Sequence, residues 1–164
     1  MNANTIQITF PDGAVRSYPA GVTGLDIARS ISEGLAREVL AVKVNDEVWD
    51  ATRPIEQDAH IRLLTWKDPE GKATFWHSSA HLMAEALETM FPGVKFGVGP
   101  AIEQGFYYDV DLGGRQLTEA DIRALEHKMT ELAQRKATYV RKPVAKAEAI
   151  AYFREKGDPY KLEL

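Results

Sequence analysis

Two histidines stand four residues apart in the run His77-Ser78-Ser79-Ala80-His81. On a helix that spacing places both imidazoles on one face. Two such rings can share a metal ion, or one can orient a water while the other donates a proton. A zinc-protease helix would carry glutamate directly after its first histidine, and here that position is Ser78. On spacing alone, the commoner arrangement is two histidines on a groove wall, hydrogen-bonded to backbone.

Other residues add to this pair. Gly97, Gly99 and Gly105 bracket an expected hairpin. Gly99-Pro100 would fix a turn and let a ligand approach bare backbone, although simple turn duty explains these glycines as well. Tyr107 and Tyr108 point to opposite faces of a strand, so one enters the core and the other offers a hydroxyl. Arg135, Lys136, Arg141, Lys142 and Lys146 form a basic cluster. It could rest on phosphates, or serve as a solvated helix end. Lys161, taken alone, reads as a surface lysine.

The rest of the composition narrows the chemistry. The chain has 164 residues, 45% of them hydrophobic and 27% charged, with a net charge of −4. An acidic protein lacks the basic excess of a general nucleic-acid coat, which leaves only local RNA recognition. With no cysteine in the sequence, disulfides, thiolate metal sites and a cysteine nucleophile are excluded. No cofactor or metal is expected in this chain. Met1-Asn2-Ala3-Asn4 does not begin a secretory signal, and no apolar run approaches the roughly 20 residues that span a bilayer. A cytoplasmic protein with no membrane partner is the expectation.

Two small modules position these groups. Thr5 to Phe10 alternates as a strand, Pro11-Asp12-Gly13 turns, and Val15 to Tyr18 returns. Thr23 with Asp26 predicts a capped helix with Leu25, Ile27, Ala28 and Ile31 on its apolar face. Ala41 to Val44 and Glu47 to Trp49 make a second hairpin around Asn45-Asp46, and His60 to Leu64 a last strand. That order predicts a β-grasp, ubiquitin-like module over residues 1–65. Residues 66–72 read as a linker and 73–164 as a second, α+β module. There a helix is predicted over Phe75 to Met90, then a hairpin through Lys95 to Gly99 and Phe106 to Leu112. Thr118 with Asp121 caps a long helix to about Arg135. Thr138 to Pro143 reads as a strand, Ala145 to Lys156 as a helix closed by Gly157, and Tyr160 to Leu164 as a final strand.

The run His77 to Met83, with Gly99-Pro100-Ala101-Ile102-Glu103-Gln104-Gly105-Phe106-Tyr107-Tyr108-Asp109-Val110-Asp111, resembles the start of the editing domain of bacterial threonyl-tRNA synthetases. Phe10-Pro11-Asp12-Gly13 and Val44 to Asp50 resemble the TGS domain that precedes it. The resemblance covers essentially the whole chain. It implies an N-terminal fragment: a TGS β-grasp domain, then the first part of a proofreading domain that hydrolyses seryl-tRNA(Thr). By resemblance, His77, His81 and Lys161 are catalytic, and Gly99, Pro100 and Tyr108 bind substrate.

The family completes that pocket with a Cys-x-x-x-His pair, which this sequence lacks. The aminoacylation and anticodon-binding domains are missing as well. ATP, magnesium and zinc are therefore expected to act through domains outside this chain. The resemblance implies a cytoplasmic homodimeric parent. Its partners are the tRNA(Thr) acceptor end, bound weakly by the fragment, and the remainder of the synthetase. Two other functions fit the residues: a non-enzymatic, RNA-binding or regulatory TGS module, and a free-standing aminoacyl-tRNA deacylase.

Overall fold

The structure is a computed structural model that describes residues 4–163. Residues 1–3 and Leu164 lie outside the described residues. The chain divides into two compact units, Met1–Phe75 and Trp76–Leu164.

The first unit is built on a five-stranded mixed sheet. Strand β1 (Thr5–Thr9) alternates, so Ile6 and Ile8 enter the core while Thr5 and Gln7 face outward. It turns at Gly13, whose φ of 81° suits glycine, and the Asp12 carboxylate accepts the Ala14 N–H at 3.0 Å. Strand β2 (Val15–Pro19) then pairs antiparallel with β1. After the short β3 (Val22–Thr23), helix α1 (Gly24–Ile31) opens with the expected capping box. The Thr23 hydroxyl accepts the Asp26 N–H at 3.1 Å, and the Asp26 carboxylate accepts the Thr23 N–H at 3.3 Å. A Cβ on Gly24 would lie 2.7 Å from Val42 Cβ, so only glycine lets the helix start this close to the sheet.

A second helix, α2 (Glu33–Glu38), is absent from the sequence reading; Ser32 both ends α1 and caps α2. Strands β4 (Ala41–Val44) and β5 (Glu47–Asp50) form the expected hairpin. Asn45 and Asp46 have φ of 46° and 70°, as a two-residue hairpin turn demands. Strand β6 (Pro54–Ile55) pairs with β3, and β7 (Ala59–Leu64) completes the sheet in the order β2-β1-β7-β4-β5. The β1–β7 pair is parallel and the others antiparallel. This is a β-grasp. Ile6, Ile8, Ile27, Val42, Val44, Ile55 and Ile61 fill its core, each worth about 1.5–3 kcal/mol of burial.

Helix α3 (Pro69–Met90) begins earlier than the pattern predicts, so the second half of the expected linker 66–72 is helical. Asp68 explains the early start. Its carboxylate accepts the Thr65 N–H at 2.8 Å, its carbonyl accepts the Lys72 N–H at 3.0 Å, and Pro69 suits the first helical position.

In the second unit the expected hairpin is split. Strand β8 (Lys95–Phe96) pairs with β11 (Val110–Asp111), and β9 (Ala101–Ile102) with β10 (Gly105–Phe106). Helix α4 (Glu119–Gln134) has its Thr118–Asp121 capping box. Ala86, Leu87, Phe96, Leu125 and Leu132 form the core. Helix α5 (Lys146–Lys156) is closed by Gly157 at φ 70°.

Two strand expectations are corrected. Residues 138–143 form no strand: Tyr139 and Val140 are 70% and 85% exposed, and no neighbouring strand meets them among the described residues. Alternation without a ladder partner leaves the backbone to water. Residues 159–162 form helix α6 (Pro159–Leu162) instead of a strand. The Asp158 carboxylate accepts the Lys161 N–H at 3.4 Å and Pro159 fills the first turn, so capping prevails over apolar pattern. The predicted strand's last residue, Leu164, lies outside the described residues.

Candidate functional site

The histidine pair sits in the middle of α3, whose following side chains Leu82, Met83, Ala86 and Leu87 pack in the second unit's core. Helical spacing stacks His77 and His81 one turn apart. Their Nε2 atoms are 3.0 Å from one another and the rings meet edge to face, with centroids 4.6 Å apart. At that distance one nitrogen must donate and the other accept. One Nε2 therefore carries the proton that the other accepts, so the two rings share one proton. Burial, then the nearby charges of His77 and Lys161, holds the His81 imidazole below the usual histidine range. His81 is thus biased to be neutral near pH 7, the form that can accept a proton.

Lys161 comes in from α6. Its ammonium donates to the Gly97 carbonyl at 2.7 Å and stands 3.5 Å from the Tyr108 hydroxyl. It also lies 5.5 Å from the Tyr108 ring centre. Tyr108 packs on Phe96 at 5.4 Å, whereas Tyr107 is exposed, so the tyrosines divide between core and surface as alternation predicts. Gly99 lies under the Tyr108 ring, where an added Cβ would sit 2.6 Å from Cδ2. That is close packing rather than turn strain. Pro100 is exposed beside Gly99, before β9.

The fold therefore gathers Tyr108, Lys161, Gly97 and Gly99 around one end of the β8–β11 ladder, with the Lys161 charge acting on His81. An open cleft of about 520 Å³ lies beside them, lined by Gly97, Val98, Asp109, Val110, Asp111, Tyr160 and Glu163. The histidines do not line it. The sequence reading missed the Gly97 carbonyl and the link between Asp111 and Tyr160, whose hydroxyl donates to Oδ2 at 3.2 Å. The Tyr-Lys order in the sequence was the available signal for the second.

Two imidazoles are too few for a closed zinc site, and no group of three or more His, Cys, Asp or Glu side chains gathers as metal ligands among the described residues. No described helix is long and apolar enough to cross a membrane. The basic cluster is scattered along the α4 end and the exposed segment after it. Arg135 is paired with Glu131, while Lys136, Arg141 and Lys142 are exposed.

The β-grasp defines the class of the first unit: residues 6–65 match the TGS domain family, and the chain carries a TGS domain. The similarity extends well beyond that domain. The chain is 60% identical to the threonine–tRNA ligase of Cytophaga hutchinsonii, over 97% of this chain and 25% of that protein. It is 59% identical to that of Porphyromonas gingivalis over 97% of this chain and 24% of that protein. For Phocaeicola vulgatus the figures are 57%, 97% and 25%. The chain is homologous to the N-terminal region of threonine–tRNA ligases and spans about a quarter of the length of these curated relatives.

Proposed function

We propose that the chain serves a threonine–tRNA ligase in two parts. Residues 1–65 are its TGS domain, and 73–164 supply one wall of a site that hydrolyses seryl-tRNA(Thr). The observation that carries the reading is that Lys161, held at Gly97 and Tyr108, stands near enough for its charge to act on His81, the partner of His77, although it lies 80 residues further along the chain. Ester hydrolysis needs a base for water, a positive charge for the developing oxyanion and a proton for the departing ribose oxygen. In this reading His81, biased to its neutral form, accepts the water proton as oxygen bonds to the ester carbon, with His77 hydrogen-bonded to it. The Lys161 ammonium faces the oxyanion, and the proton held by the pair returns to the ribose oxygen as the ester bond breaks. Tyr108, Gly99 and Pro100 border the substrate. Two small side chains differing by one methyl are separated poorly by binding alone, so a second hydrolytic sieve is chemically warranted.

This wall does not complete a site, and no aminoacylation is assigned to it. ATP, magnesium and zinc belong, in this reading, to the three quarters of the relatives that the chain does not span, as do cytoplasmic location and dimerisation. The test compares serine release from mischarged tRNA(Thr) by residues 1–164 and by a longer ligase chain. Release is expected only from the longer chain. His77→Ala or His81→Ala there should slow it about 10²- to 10⁴-fold. Robust release by residues 1–164 alone would favour a free-standing deacylase.

A second reading, a tRNA-contact module without chemistry, has its own observation. Residues 135–146 hold five cations and no acid, with Tyr139 70% exposed among them. Cations beside an exposed ring suit the single-stranded acceptor end.

A further inference from the structure

We propose that Tyr160 and Asp111 are positioning residues that latch the Lys161 ammonium in place. The proposal rests on the hydrolytic reading of the site, which gives Lys161 its task. Lys161 stands on α6, a helix of only four residues, too short to hold its own direction. What fixes it are bonds made on either side of the corner at Gly157. Before the corner, Lys156 Nζ meets Glu88 Oε1 at 2.6 Å, tying α5 to α3. At the corner, Asp158 is 7% exposed, its N–H donates to the Phe153 carbonyl at 3.1 Å, and its carboxylate caps the Lys161 N–H. Beyond it, the Tyr160 hydroxyl donates to Asp111 Oδ2 at 3.2 Å, and Asp111 Oδ1 accepts the Gly113 N–H at 2.8 Å. Asp111 thereby joins α6 to the end of β11, whose partner β8 leads directly into Gly97. The strand that supplies the carbonyl for Lys161 Nζ is thus paired with the strand that holds its neighbour.

A latch of this kind predicts that losing one hydroxyl frees one lysine. The experiment measures acetylation of Lys161 in residues 1–164 by an N-hydroxysuccinimide acetate, read by mass spectrometry against exposed Lys67. Tyr160→Phe removes only the donor, and the Lys161 rate should rise several-fold while the Lys67 rate stays fixed. Asp111→Asn keeps a hydrogen bond with donor and acceptor exchanged, and should leave Lys161 close to its original rate. An unchanged Lys161 rate in Tyr160→Phe would overturn the proposal. So would an equal rise at both lysines, or an Asp111→Asn rise as large as that of Tyr160→Phe. Labelling does not measure hydrolysis, so the latch and the hydrolytic reading fail separately.

Discussion

Gly99 leaves no room for a side chain. A methyl there would press on Tyr108 Cδ2 at 2.6 Å, and the ring, already against Phe96, has little space to retreat. Gly99→Ala is expected to cost about 1–3 kcal/mol by overpacking, read by urea denaturation. Gly97→Ala, 3.1 Å from Asp109 Cβ, should cost less; equal losses would refute the packing account. His81 gives a pH signature. Its folded value is depressed, by burial first and then by the charges of His77 and Lys161, so the unfolded chain binds the proton first as pH falls. Stability from this group is complete above the ordinary histidine value of about 6.5 and is lost as pH drops through the lower folded value. Unfolding free energies measured on either side of that window should fall more for the parent than for His81→Gln. Matching slopes would sink the assignment. At this scale the histidine pair was legible, because helical spacing alone dictates the shared face. The reason for Gly99 was not, since a glycine excluded by a ring nine residues away reads in sequence like any turn glycine.

Elements were legible where local chemistry decides them. Thr23–Asp26 and Thr118–Asp121 announced two helices, and both formed with complete capping boxes. At residues 158–162 two local signals competed, and the Asp158-Pro159 start outweighed apolar content. Residues 138–143 failed for a different reason: a strand is defined by its neighbour, and alternation does not supply one. The exposed segment that results carries the tRNA-contact reading. Changing Arg141 and Lys142 together to glutamate should weaken binding of a tRNA(Thr) acceptor-arm RNA. It should also flatten the salt dependence by about 0.7–0.9 in log–log slope for each phosphate no longer neutralised. Titration at two or more salt concentrations would show it. Unaltered affinity and slope would leave the segment a solvated surface.

At the scale of the whole molecule, the TGS match ends at residue 65 but the first unit runs to Phe75. The ten residues between are bound into that unit. Asp68 accepts from Thr65 and pairs with Arg62, Lys43 pairs with Glu70 at 3.3 Å, and Trp66 meets Phe75 edge-on at 5.1 Å. Gly71 lies so near the Thr65 carbonyl that a Cβ would fall 2.2 Å from it. A domain ending at residue 75 should therefore be more stable to urea than one ending at 65, with Asp68→Ala removing part of the difference. Equal midpoints would make this first part of α3 an unattached extension. Sequence periodicity placed the β-grasp but not this coda, because Pro69 and Gly71 look like breakers until Asp68 is seen to start a helix. The bare stretch after α4 has a further consequence. Residues 137–144 make no backbone-to-backbone hydrogen bond among the described residues, and Lys136 and Arg141 offer trypsin its cut sites. A nick after Lys136 would leave both histidines on one polypeptide and Lys161 on the other. The Lys156–Glu88 and Tyr160–Asp111 bonds would then be intermolecular tethers. The nicked protein becomes a split pair, in which a synthetic peptide beginning at Ala137 can be swapped in to exchange Lys161 for unnatural amines.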